Sequence, residues 1–192
     1  MSLRTFAAIF PPADVQSAVA RALQAARNST DDRVRWVRPE NVHLTLKFLG
    51  DVQREDLGEL CAALEKACAR HTPFDASLAG LGAFPSKRRA RILWAGIGAG
   101  SERLSSLAAD LDAVLMPLGF EREERTYTPH LTLGRIRGRP ANLDLPQIVW
   151  DLGFLVQRVE LVESTLTPEG SAYRIVRAFT LKGSSQPSPR KR

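Results

Sequence analysis

Residues 43–46 read His-Leu-Thr-Leu, and residues 130–133 read His-Leu-Thr-Leu again, 87 positions later. The chain has three histidines, and this repeated tetrapeptide holds two of them. Strict polar-apolar alternation is the period of a strand with one buried face, so His43 and Thr45 point one way while Leu44 and Leu46 point the other. The same holds for His130 and Thr132. Two such strands facing one cleft would offer two imidazoles and two hydroxyls. That set suits a phosphodiester. A neutral imidazole can take a proton from an attacking water, a protonated one can give a proton to the departing oxygen, and the hydroxyls can donate to the non-bridging oxygens. A single His-x-Thr on a strand is usually an ordinary half-exposed pair. A purely structural repeat would preserve the leucines and let the polar positions drift, so the exact second copy favours chemistry.

The elements that must position these residues follow from the rest of the chain. At 192 residues it is long enough for one well-buried domain or two small lobes around a shared cleft. Its 44% hydrophobic and 25% charged residues are those of an ordinary folded protein. The net charge of +6 favours a polyanionic partner, although Arg190, Lys191 and Arg192 supply three of those charges. No run of eighteen apolar residues is present and residues 1–4 lack a secretory-signal layout, so the expectation is a cytoplasmic chain with no membrane partner. Cys61 and Cys68 lie seven apart in a predicted helix, about 10 Å between Cα atoms, and read as packed thiols with no disulfide. With no CxxC, HxH or HExxH pattern, neither a metal nor another cofactor is expected.

In chain order, residues 5–10 read as a buried strand and Pro12 opens a helix to about residue 27. Residues 34–37 form a short strand, 39–41 a bend, and 42–49 the first histidine strand, closed by Gly50-Asp51. A helix over 55–71 and a strand over 74–84 follow, then an exposed basic loop at 85–89. Residues 91–97 read as a strand, and Ser101 as the cap of a helix to about residue 116. The second histidine strand covers 130–137, and a short amphipathic stretch lies at 145–150. Two long strands at 155–166 and 172–181 flank the turn 167–170, and the basic tail 183–192 is expected to be disordered. Residues 5–10 and 92–97 are again 87 apart, so the chain reads as two copies of a strand-helix-strand plan about an approximate two-fold axis.

The stretches His43-Leu-Thr-Leu-Lys-Phe-Leu-Gly50 and Tyr127-Thr-Pro-His-Leu-Thr-Leu-Gly-Arg135 resemble the paired HxTx motifs of the 2H phosphoesterases. In particular they resemble the RNA 2′,3′-cyclic phosphodiesterases, also called LigT-like proteins or 2′-5′ RNA ligases. The resemblance implies an α+β, bilobal LigT-like fold with antiparallel sheets lining a central cleft and helices outside, over residues 1–182 as one domain. It also implies metal-independent hydrolysis of a terminal 2′,3′-cyclic phosphate to a 2′-phosphate, with 2′-5′ ligation as the reverse reaction. Carried over by position, His43 is the proton donor and His130 the proton acceptor, while Thr45 and Thr132 hold the phosphate oxygens and Arg135 adds charge. By alternation alone Arg135 falls on the face opposite His130, unless Gly134 introduces a bulge.

Lys87 and Arg88, with Arg89 and Arg91, could track an RNA backbone, and Trp36 and Tyr127 could line the cleft; a solvated loop and core packing are the bland alternatives. Arg137 and Arg139 extend the positive surface, Phe48 reads as core, and His71 as charge at a helix C-terminus. The expected partner is RNA bearing a terminal 2′,3′-cyclic phosphate, bound by a monomer. Two other functions compete. One keeps the site for a small cyclic nucleotide, an ADP-ribose cyclic phosphate or a 2′-5′ oligonucleotide; the other is a non-catalytic RNA-end binding module.

Overall fold

The structure, a computed structural model, describes residues 2–29, 33–143, 145, 147–168 and 170–183, with the side chains of 24–29 outside that description. From residue 184 onward the expected disordered tail lies outside the described residues. The first part of the chain holds β1 (Ser2–Ile9), α1 (Ala13–Ser29), β2 (Val34–Trp36), β3 (Leu44–Gln53), α2 (Leu57–Cys68) and β4 (Phe74–Phe84). The second holds β5 (Ile92–Ile97), α3 (Ser101–Leu115), β6 (His130–Ile136), β7 (Gly153–Val156), β8 (Arg158–Thr167) and β9 (Gly170–Thr180). The strands run in the order β7-β4-β5-β6-β3-β1-β8-β9, with β2 added to β6, and every pairing is antiparallel. No helix among the described residues is long and apolar enough to cross a membrane.

The fold is α+β, and its two lobes meet where β3 pairs with β6. That contact consists of Leu44 opposite Leu131, the same residue of the two tetrapeptides. When equivalent residues of a repeat pair with each other in an antiparallel ladder, a local two-fold axis passes between them. One step of register to either side sets His43 opposite Thr132 and Thr45 opposite His130. The leucines beneath join a single core in which Leu44, Leu64, Leu104, Leu107, Leu111, Leu115 and Leu131 are wholly buried. Each such side chain contributes about 2 kcal/mol of burial, and together they hold the sheet against α2 and α3.

Both histidine strands carry an extra residue at the same place. On β1, Ala7 faces Lys47 and Ala8 faces Thr45, so Leu46 has no partner. On β5, Leu93 faces Gly134 and Trp94 faces Thr132, so Leu133 has none. Each bulge buries two successive residues, Leu46 with Lys47 and Leu133 with Gly134, and then restarts the alternation in opposite phase. Buried Lys47 reaches the helix layer, where its amine pairs with Asp112 of α3 and donates to the Glu121 carbonyl at 2.5 Å. The Asp112 carboxylate also accepts from the Glu123 N–H at 3.2 Å, which ties the irregular segment before β6 to the same point.

Several sequence expectations shift. The first histidine strand does not close at Gly50; it runs to Gln53, and Gly50 adopts φ 71° within a second irregularity. Ser101 is the first residue of α3 and not its cap; the cap position is Gly100 at φ 81°, where a Cβ would lie 2.7 Å from the Asp75 carbonyl. Residues 155–166 are two strands, because the run hydrogen-bonds to β4 as far as Val156 and then crosses to β1 in the other lobe. The stretch 145–150 forms neither helix nor strand in its described residues. Finally, Ile9 faces Leu44 and Ala95 faces Leu131, so β1 and β5 correspond at a spacing of 86, one residue off the tetrapeptides.

Candidate active site

His43 and His130 are held in the same way. The Nδ1–H of His43 donates to the Asn41 carbonyl at 2.7 Å, and that of His130 donates to the Thr128 carbonyl at 2.7 Å. A carbonyl only accepts, so each contact fixes the proton on Nδ1 and leaves Nε2 as the proton-free nitrogen of the neutral ring. In His43 the Thr45 hydroxyl donates to that Nε2 at 3.1 Å. The two imidazoles and both threonines are half-buried along the central β3-β6 seam.

The surroundings of the two rings differ. His43 sits among Phe6, Phe10 and Tyr173, with ring centroids at 5.0, 5.2 and 5.2 Å. Burial lowers its pKa to about 4, against the pull of the Asn41 carbonyl; the charge of Arg135 lowers it further, as does His130 when that ring is protonated. His130 lies against Phe84 at 5.0 Å and Trp94 at 6.2 Å. Its pKa is also lowered, by burial first and by Arg135. Both rings are therefore neutral near pH 7 in the unliganded protein. Arg135 acts on both, so one guanidinium stands within electrostatic reach of the whole seam.

The bulge explains how Arg135 gets there. With Leu133 and Gly134 both facing the core, Arg135 returns to the face that carries His130 and Thr132, and it is exposed. The equivalent bulge on β3 turns Phe48 to the same face, where it is 70% exposed. Phe48 is thus not core; its ring stands 6.2 Å from Phe6 at the edge of the aromatic group around His43. Among the described residues no group of three or more His, Cys, Asp or Glu side chains stands close enough to share a metal ion.

A model of the LigT-like phosphoesterases matches residues 9–94 and 97–173. The chain belongs to that family. The RNA 2′,3′-cyclic phosphodiesterase of Methanothermobacter thermautotrophicus is 36% identical over 188 residues, covering 94% of this chain and 100% of that protein. The crystal structure of TT0787 from Thermus thermophilus superposes with a TM-score of 0.84 at 31% identity, over 95% of this chain and 100% of that one. E. coli LigT complexed with 3′-AMP superposes with a TM-score of 0.81 at 25% identity, over 94% and 99% of the two chains.

In this LigT-like phosphoesterase the remaining candidates divide. Tyr127 packs on the core and its hydroxyl donates to the Thr45 carbonyl at 2.9 Å, bracing one motif from the segment that leads into the other. Trp36 also packs on the core, in register with Gly134. Lys87 and Arg88 are exposed in a short 3-10 turn, Lys87–Arg89, beyond the Arg135 end of β6. His71 hydrogen-bonds to Asp110 at 2.8 Å, joining α2 to α3 away from the seam. Cys61 and Cys68 are buried free thiols. Sequence reasoning missed Phe6, Phe10, Tyr173, Phe84 and Trp94. Each lies on a strand or loop other than the strand of the histidine it touches, and only the matched breaks of alternation at Leu46-Lys47 and Leu133-Gly134 hinted at the register that brings them in.

Proposed function

We propose that this chain hydrolyses 2′,3′-cyclic phosphate ends of RNA to 2′-phosphomonoesters without a metal ion. The observation that carries the reading is the pair of imidazoles pinned alike through Nδ1 on either side of a two-fold seam, under the charge of one arginine. His130, neutral and with Nε2 free of a proton, takes a proton from water as its oxygen attacks phosphorus. The P–O3′ bond breaks, and the Nε2–H of a protonated His43 delivers its proton to O3′. Thr45 and Thr132 donate to the non-bridging oxygens, and Arg135 offsets the charge that builds on them.

His43 needs a proton that it lacks in the free protein. The arriving anion supplies the reason to take one up, because it opposes the desolvation that holds the pKa down, while the faces of Phe6 and Phe10 favour a cation between them. A 5′-hydroxyl in place of the attacking water would turn the same chemistry into 2′-5′ ligation. Residues 1–182 act as one cytoplasmic, monomeric unit in this reading.

The test is turnover of an oligonucleotide ending in a 2′,3′-cyclic phosphate, with excess chelator present and the product position read by phosphorus NMR. A 2′-phosphate should form, and His43→Ala or His130→Ala should lower kcat at least about 100-fold. Full turnover by either variant, or dependence on added divalent metal, refutes the mechanism.

A further inference from the structure

We propose that the ribbon of β2 and the end of β6, with the turn Lys87–Arg89 beside it, is a second anion subsite for the phosphates preceding the reacting one, which makes the preferred substrate an oligonucleotide and not a mononucleotide. The proposal rests on the cyclic-phosphodiesterase reading and extends it.

The ladder itself is the first observation. Arg35 stands directly opposite Arg135, and the Arg137 N–H donates to the Arg33 carbonyl at 3.0 Å, which sets a second pair of arginines opposite each other two residues on. Alternation puts all four on the exposed face of the ribbon, while Val34 and Ile136 are buried beneath. An anion lying along this face of β6 would meet the exposed side chains of both Arg135 and Arg137.

The chain then brings more cations to the same end. Gly138, at φ 73°, turns the chain back, and the Arg33 side chain donates to the Arg139 carbonyl at 3.2 Å. Ala90 and Ala141 exchange both backbone hydrogen bonds, and the Leu143 N–H donates to the Lys87 carbonyl at 2.9 Å. These bonds hold the Lys87–Arg89 turn beside the ribbon. Among the described residues, Lys87, Arg88, Arg89, Arg135, Arg137 and Arg139 have no carboxylate partner. Four cations in other parts of the protein, Arg158, Arg174, Arg177 and Lys47, are by contrast paired with Glu160, Glu163, Glu65 and Asp112.

Continuity identifies the ligand. The row starts at Arg135, whose charge already reaches both imidazoles, and continues along the strand with about 7 Å between alternate residues. Anions repeated at a regular interval, one of them in the reaction centre, describe the backbone of a single strand.

The experiment compares kcat/KM for a mononucleotide 2′,3′-cyclic phosphate with that for an RNA octamer ending in the same group, in wild type, Arg137→Gln/Arg139→Gln and Arg88→Gln/Arg89→Gln. Wild type should prefer the octamer at least about 10-fold, and each double variant should bring the ratio of the two values toward one. The log-log salt dependence for the octamer should fall by about 1.4 in slope per double variant, the effect of two lost single-strand phosphate contacts. A mononucleotide turned over as well as the octamer, or variants that leave the ratio and slope unchanged, overturns the subsite while leaving the cyclic-phosphodiesterase reading intact. Failure of both substrates to turn over sinks that reading instead. The subsite is then judged by anisotropy of the labelled octamer, where affinity unchanged in both variants overturns it and weaker binding supports it.

Discussion

Replacing Lys47 by Met tests whether the shared bulge is held from behind by a buried charge. The Lys47 and Asp112 side chains are 7% and 15% exposed, and the lysine also donates to the Glu121 carbonyl. Lys47→Met fills similar volume but leaves Asp112 with only the Glu123 N–H among the described residues, and leaves the Glu121 carbonyl without this donor. Removing one member of a buried pair costs about 3–5 kcal/mol, because the remaining charge is uncompensated. The partial exposure of Asp112 points to the lower end, about 3 kcal/mol. At about 2–4 °C per kcal/mol for a chain of this size, Tm should fall by about 6–12 °C. Lys47→Met/Asp112→Leu removes both charges and should recover most of the loss. Urea melts followed by tryptophan fluorescence supply the numbers, with an unchanged m-value showing that the same surface is exposed. A loss below about 1 kcal/mol in the single variant, or a double variant no better than the single, refutes the reasoning. The segment that Lys47 holds leads to the Thr128 carbonyl on His130, so the single variant should also lower kcat.

Burial lowers the His43 pKa to about 4 from 6.5, so between those values the unfolded chain binds more protons than the folded one. This residue's contribution is complete above about pH 6.5 and lost as pH falls toward 4, by about 3 kcal/mol in all; urea melts across that window should show a shallower pH dependence in His43→Gln, and an identical one contradicts the shift. Gly134→Ala would place a Cβ 2.7 Å from Val34 Cγ1, so stability should drop by about 1–3 kcal/mol, measured by thermal melting, and Gly134→Ala/Val34→Ala should regain part of it. Phe48→Ala should change stability by no more than about 0.5 kcal/mol, since the ring is 70% exposed. The same variant should raise the oligonucleotide KM by about 5-fold or more if a base stacks there; a large loss of stability with unchanged KM would return Phe48 to the core.

How far the site was legible follows from what a period of two can and cannot carry. The tetrapeptides keep strict alternation, so the inward leucines and outward imidazoles could be read directly, and their repeat implied a two-fold that the structure realises at Leu44 and Leu131. A bulge adds one residue without any composition of its own. Reading through it put Phe48 in the core, and alternation alone left Arg135 on the wrong face, where the bulge that Gly134 suggested is what the register shows. The aromatic walls were hidden for a related reason, since Tyr173 meets His43 and Phe84 meets His130 only through pairings between distant strands. The crossing at Gln157 carries no glycine or proline to mark it; only the phase changes, with Phe154 and Val156 buried before it and Val159 to Val162 buried after it.

The repeat also shows where the symmetry must fail. Adding the tetrapeptide spacing to Phe48 gives Arg135, so the two bulges deliver an aromatic ring and a guanidinium to corresponding positions on one face. A local two-fold carries corresponding positions to opposite sides of its axis, so the ring lies on one side of the seam and the cation on the other. Two imidazoles related by that axis could accept a phosphodiester in either direction with equal ease. A substrate with bases and further phosphates cannot be indifferent, because Phe48 offers an exposed ring on one side while Arg135 leads to repeated charge on the other. In the proposed mechanism, the residues one bulge beyond the two similarly held histidines therefore add to the difference that the aromatic surroundings of the rings already make. Exchanging those residues, Phe48→Arg with Arg135→Phe, should weaken or reverse the preferred direction while leaving both Nδ1 contacts in place.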